Sequence, residues 1–241
     1  MSIHRKLVDV IAQELYENEN ALMMVLYGSL SRGEEQPNSD IDLMVITKEY
    51  CLQKRHVMRK GIVIEFLEMH LDFLNDFIDK REVPVLFLLA DGIVLFDKLS
   101  MAEKISNKAK KILTDGPPTN PKRDNERYRT KKCSDITEIY HDLVDVTDNT
   151  SFNYISTLLV ENALPLVLEN NRLWPTTRKK TMAFLHQQCS DEYKAIETLL
   201  NSAIPLDERR NAAKALTDSA LKPFGGMLTG EAVIFRVEKL S

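Results

Sequence analysis

Cysteine is too scarce in this sequence to build a framework. Cys51, Cys133 and Cys189 are the only three among 241 residues, odd in number and far apart. They read as reduced thiols rather than a disulfide scaffold. The histidines at 4, 56, 70, 141 and 186 show no zinc-type spacing with one another or with the cysteines. Long apolar runs are also missing. None approaches the ~20 residues needed to span a bilayer, and the first residues form a charged, amphipathic stretch without the apolar centre of a signal peptide. A soluble, cytoplasmic protein is the expectation. An excess of positive charge is absent as well: 32 Lys and Arg stand against 36 Asp and Glu, a formal charge of −4. No global basic field therefore favours nucleic acid, and copying a long template is a poor first reading. No internal repeat or low-complexity tract appears.

What is present is an ordinary globular composition, 44% hydrophobic and 28% charged, in a chain long enough for two modest domains. Ile3, Leu7, Val10, Ile11 and Leu15 recur at helical spacing and predict a first helix ending near residues 18–20. Strands are expected over 22–27, 40–46, 62–67 and 93–96. Residues 49–59 are polar and basic and read as a short helix or an excursion, while 85–90 is an apolar segment of either type. A lysine-rich helix is expected over 101–113. Pro117, Pro118 and Pro121 then break the chain, since proline cannot continue a helix or sit in a central strand. This places a boundary there, with units over 1–113 and 125–241 joined by a linker over 114–124. The second unit reads as all helix, over 125–148, 151–170, 176–189, 191–201, 207–220 and 228–239. Pro165 should kink or divide the second of these helices.

The organising stretch lies in the first unit. An apolar run stops at Gly28-Ser29, and a polar segment leads to Asp40-Ile41-Asp42-Leu43 at the head of the next apolar run. Alternate side chains of a strand share a face, so Asp40 and Asp42 project together and Ile41, Leu43 and Val45 lie opposite. Two adjacent carboxylates repel unless a positive charge sits between them, and a hard divalent cation is the usual answer. Gly28 permits a tight turn, and Ser29 can cap a short helix around 30–33 whose free N–H groups would hold an anion. Glu65, on the strand 62–67 among apolar neighbours, is either a strand-edge residue reaching solvent or a third metal-directed carboxylate. Glu68 is its weaker substitute. Ser39 is expected to fix the loop before Asp40 by a local hydrogen bond.

Gly28-Ser29, Arg32-Gly33 and Ser39-Asp40-Ile41-Asp42-Leu43 together resemble the signature of the DNA polymerase β-like nucleotidyltransferases. Within that superfamily the likeness is to the small bacterial enzymes that adenylylate aminoglycosides and lincosamides. The resemblance implies an α+β fold: a catalytic domain with a mixed sheet flanked by helices, then an all-α bundle that binds the acceptor. It implies that Asp40, Asp42 and Glu65 are catalytic and hold Mg²⁺, with two ions stabilising the attacking and leaving oxygens. Gly28, Ser29, Arg32 and Ser39 would then bind ATP or another nucleoside triphosphate, and a small hydroxylated acceptor would receive the nucleoside monophosphate. A homodimer is also implied, as related antibiotic-modifying enzymes often pair.

Several alternatives remain open on the residues alone. Arg32 is either a triphosphate ligand or a solvent-facing loop residue. The general base is Glu65 or Glu161, the latter on the apolar helix of the second unit. The basic stretches 122–132 and 178–180 either face solvent or touch phosphate or RNA. Asp142, Asp145 and Asp148 form either a solvated helix face or a surface for a cationic acceptor, and Trp174 anchors packing or stacks on substrate. Two other functions compete: adenylylation of a protein by an antitoxin-type enzyme, and a catalytically idle nucleotide-binding module. The fused-toxin version of the former loses support, because seven residues separate Arg178 from His186, outside the Arg-x(4–6)-His window.

Overall fold

The computed structural model describes residues 2–230. The chain forms two compact units, Met1–Asp115 and Gly116–Ser241.

The first unit is a five-stranded mixed sheet with helices around it. Helix α1 (Ile3–Tyr16) starts under a Ser2 cap and buries His4, Leu7, Val8 and Ile11, the stripe that helical spacing requires. Strand β1 (Ala21–Tyr27) runs into the short helix α2 (Gly28–Ser31), and β2 (Ile41–Thr47) follows. Strand β3 (Leu52–Arg59) and strand β4 (Ile62–His70) form a hairpin across Lys60 and Gly61, both at positive φ. Helices α3 (Leu71–Asp79) and α4 (Val83–Asp91) precede β5 (Ile93–Asp97) and α5 (Ala102–Asp115). Strand order is β3-β4-β2-β1-β5, with β2 and β4 parallel and the other neighbours antiparallel.

Two sequence readings change here. Residues 52–59 are not a helix or an excursion but the edge strand β3. Most of its side chains are exposed, so it lacks the apolar alternation that marks a half-buried strand, while its charges protect an open edge. Residues 85–90 are helical: Pro84 sits in the first turn of α4, where its missing N–H costs nothing.

Alternation sorts the sheet into two faces. Met24, Leu26, Ile41, Leu43, Val45, Ile64 and Phe66 pack with Leu7, Val8 and Ile11 of α1 into one core. Each such fully buried aliphatic side chain contributes roughly 1.5–3 kcal/mol. The other face buries Met23, Val25, Met44, Ile46 and Met69 along its middle and carries Tyr27, Asp42 and Glu65 at one end.

The second unit is helical throughout its described elements: α6 (Glu126–Asp145), α7 (Asn149–Asn170), α8 (Arg178–Gln188), α9 (Ser190–Leu200) and α10 (Leu206–Leu221), with short 3₁₀ turns at Pro121–Asp124 and Lys222–Phe224. Phe152, Leu159, Ala163, Leu185, Ile196, Leu199, Ala213 and Leu216 belong to its buried core. Helix α7 runs unbroken through Pro165, contrary to the expected division. Pro165 and Glu161 are both exposed, so water can take the Glu161 carbonyl that the proline leaves without its N–H partner. Arg209 is buried in this core, donating to the Leu199 carbonyl at 2.8 Å and to Asn153 Oδ1 at 2.6 Å while its guanidinium stacks 4.5 Å from the Phe152 ring. It binds α10 to the end of α9 and to α7. The helix expected over 228–239 falls mostly outside the described residues.

Candidate metal centre

Register decides what meets at the end of the sheet. Tyr27 of β1 pairs with Asp42 of β2, Asp42 pairs with Glu65 of β4, and Glu65 pairs with His56 of β3. The four residues form one row across four strands on one face. Asp40, two residues before Asp42, joins them, so that Asp40, Asp42 and Glu65 each offer a carboxylate oxygen within 4.8 Å of the others. Among the described residues, no other group of three His, Cys, Asp or Glu side chains converges in this way. Asp40 is exposed, whereas Asp42 and Glu65 are half-buried.

The backbone before the triad is shaped to admit it. Gly28 has φ +76°, and a Cβ there would lie 1.9 Å from Asp42 Oδ2. Glycine is therefore required twice, by conformation and by space. Ser29 does not cap α2 as the sequence suggested. Gly28 and Ser29 are already its first residues, and Tyr27 occupies the capping position without a side-chain capping bond. The Ser29 carbonyl accepts from the N–H groups of Arg32 at 3.2 Å and Glu34 at 2.9 Å, which folds the following loop back on the turn. Arg32 Nε pairs with Glu34 at 2.8 Å. Ser39 makes the local bond expected of it: Oγ accepts from the Gln36 N–H at 2.8 Å.

Helix α1 holds this loop at two points that sequence reading missed. The buried His4 ring contacts the Ser39 carbonyl at 3.0 Å, immediately before Asp40. Arg5 donates to the Leu30 carbonyl at 2.6 Å. Neither contact leaves a local signal, because both partners lie more than twenty residues away.

Charge in the row is unbalanced. The Asp42 carboxyl is pushed up to about 6, first by burial and then by Asp40 and Glu65, against the smaller opposing pull of Lys54 and Arg32. Burial and the three acids likewise drive the Tyr27 phenol well above its ordinary range, so it remains a donor to Glu65 Oε1 at 3.1 Å. For Glu65 itself burial raises the carboxyl, yet hydrogen bonds from Lys54, His56 and Tyr27 outweigh it and hold the group below its usual value. Lys54 Nζ lies 2.7 Å from Glu65 Oε2 and His56 Nε2 lies 3.1 Å from the same oxygen. Three hard oxygen donors with their repulsion left over fit a divalent cation of the magnesium or manganese type.

Glu68 points to the opposite face, where it pairs with Arg55 and Gln53. Glu161, Asp142, Asp145 and Asp148 lie on the second unit and are exposed, Asp148 serving as the cap of α7 through the Ser151 N–H. Arg178, Lys179 and Lys180 are exposed, but Arg123 is not a solvated residue: it packs over Phe224 and bonds Asn170 and Glu169. A cavity of about 590 Å³ in the second unit is lined by Asp191, Glu192, Asp218 and Ser219 among others and contains no member of the triad. Among the described residues, no helix is long and apolar enough to cross a membrane.

Residues 9–100 match the family model described as Polymerase beta, Nucleotidyltransferase. The chain is also similar to a solved structure, a nucleotidyltransferase-like protein from Exiguobacterium sibiricum 255-15, at 13% identity and a TM-score of 0.46, covering 92% of this chain and 75% of that one. No curated protein matches the sequence. The matched segment runs from the middle of α1 through β5 and contains the whole carboxylate row, so this part of the first unit is similar to a polymerase β-type nucleotidyltransferase domain.

Proposed function

We propose that this protein transfers a nucleoside monophosphate, AMP from ATP, to a hydroxyl group of a small acceptor and releases pyrophosphate. One observation carries the proposal: Asp40, Asp42 and Glu65 converge on one sheet face, directly against a glycine turn that leaves room for Asp42. The three carboxylates would hold Mg²⁺, which keeps few protein ligands and leaves positions for water and phosphate oxygens. Bound there, two ions supply charge stabilisation at the attacking and leaving oxygens of an in-line displacement.

The chain's own groups have distinct parts in this reading. Gly28 and Ser29 bring backbone N–H groups toward the triphosphate, and Arg32 adds a guanidinium from the same loop. Ser39 and His4 fix the loop that delivers Asp40. Tyr27 orients Glu65 by donating to one carboxylate oxygen. Glu65 can combine metal binding with taking the acceptor's hydroxyl proton, which makes this residue the general base we favour over the exposed Glu161. The second unit is the acceptor-binding domain in this account, and aminoglycosides and lincosamides are the first acceptors to try, in a cytoplasmic enzyme.

The test is direct. Incubation with ATP, Mg²⁺ and an acceptor panel should release pyrophosphate in an acceptor-dependent way, and chelation of the metal should stop it. An Asp42→Asn protein that kept the wild-type rate would refute the carboxylate assignment.

A further inference from the structure

The ion pair on Glu65 has no place in the mechanism so far. Lys54 comes from the edge strand β3, where its register partner is Leu67, two residues beyond Glu65 on the same face. It therefore reaches Glu65 diagonally, with Nζ 2.7 Å from Oε2, while His56 stands directly opposite. The Lys54 side chain is 56% exposed and that of Glu65 is 16% exposed. The ammonium thus sits on the open side of the triad, on the carboxylate oxygen that Tyr27 does not use.

Such a pair is weak. A half-exposed lysine–carboxylate contact is easily exchanged, and the four-carbon stem of lysine lets its head move freely. A divalent cation bound by three carboxylates would take this oxygen in place of the ammonium. The displaced charge stays on the same face, next to where phosphate oxygens would lie if the proposed reaction holds.

We propose that Lys54 is an exchangeable phosphate ligand. It occupies Glu65 while the metal is away and turns to the triphosphate when the metal arrives. The inference rests on the nucleotidyl-transfer reading and names a further substrate-contacting residue within it. It also makes Lys54 a competitor of the metal, so that removing it must have opposite effects on two ligands.

Mn²⁺ binding followed by paramagnetic resonance, and binding of a nonhydrolysable ATP analogue with Mg²⁺ followed by calorimetry, separate these effects. Lys54→Met should bind Mn²⁺ without nucleotide about fivefold tighter, as loss of a contact worth about 1 kcal/mol requires. The same variant should bind the Mg²⁺-analogue complex about tenfold more weakly, by loss of one charge-assisted contact. Lys54→Arg, which keeps the charge, should hold the analogue within about threefold of wild type. Unchanged or weaker Mn²⁺ binding by Lys54→Met would overturn the exchange, and unchanged analogue binding would overturn the phosphate contact. Wild-type protein that bound neither probe would remove the nucleotidyl-transfer reading and this inference together, a result distinct from a failure confined to the variants.

Discussion

Glu65 and Glu68 lie three residues apart on β4, each flanked by apolar neighbours, yet the two faces treat them differently. Glu68 is 9% exposed and fully answered: Oε1 accepts from Arg55 Nε at 3.0 Å and Nη2 at 2.7 Å, and Oε2 accepts from Gln53 at 2.7 Å. Among the described residues, it belongs to no group of three acids. Glu65 also has donors, but it shares its face with Asp40 and Asp42, and Asp42 carries the unrelieved repulsion. One glutamate closes its own charge balance within the protein; the other belongs to a cluster that a cation from outside would complete. A buried acid points to function when its neighbours leave charge over, not merely because it is buried.

Substitutions should separate the two faces. The largest effect falls on activity. Asp42→Asn and Glu65→Gln should each lower acceptor-dependent pyrophosphate release by more than about 100-fold, since even outer-shell partners of metal ligands cost 10–100-fold. Both variants should stay folded, and Asp42→Asn should raise the melting temperature of the metal-free protein by relieving repulsion. Gly28→Ala comes next. Its Cβ would meet Asp42 Oδ2 at 1.9 Å on a left-handed residue, so chemical denaturation should show a loss of about 2–3 kcal/mol together with lost activity.

Asp40 and Asp42 were legible as a pair because strand alternation assigns faces without knowledge of neighbours, whereas Glu65 was joined to them by the family resemblance, since only the β2–β4 register brings it beside Asp42. Glu68 was ranked as their substitute, yet alternation already puts it opposite Glu65, and only the β3–β4 register reveals Arg55 and Gln53 as its partners. Lys54 and His56 were missed with β3 itself, since an edge strand exposed along its length carries no apolar period. Their i, i+2 spacing, the same as that of Asp40 and Asp42, was the available signal. Gly28 was legible as a turn residue, but its second constraint depends on β1 lying beside β2. The capping role given to Ser29 failed because α2 begins at Gly28, two residues before the helix expected around 30–33.

Smaller effects sharpen the contrast. Glu68→Ala removes charge-assisted bonds from the opposite face and should cost about 1.5–3 kcal/mol of stability, with activity per folded molecule unchanged. The pH dependence should be modest and of defined sign. Folded Asp42 holds its proton up to about pH 6, whereas in the unfolded chain it releases it near its ordinary value. At Asp42 the folded state therefore binds more protons across this window, and the contribution of this group to metal-free stability falls as pH rises through it. With Asp42 partly open to solvent, the fall should be on the order of 1–2 kcal/mol. It should disappear in Asp42→Asn or with saturating Mg²⁺, as denaturation midpoints at pH 4 to 7 would show.

The central claim is that the Asp40–Asp42–Glu65 face, and not the Glu68 face, is built for a divalent cation. Mn²⁺ titration of the wild type, Glu65→Gln and Glu68→Gln tests it most directly. The account predicts binding in the wild type and in Glu68→Gln, with loss in Glu65→Gln. Equal affinity in both variants, or no binding by the wild type, would contradict it.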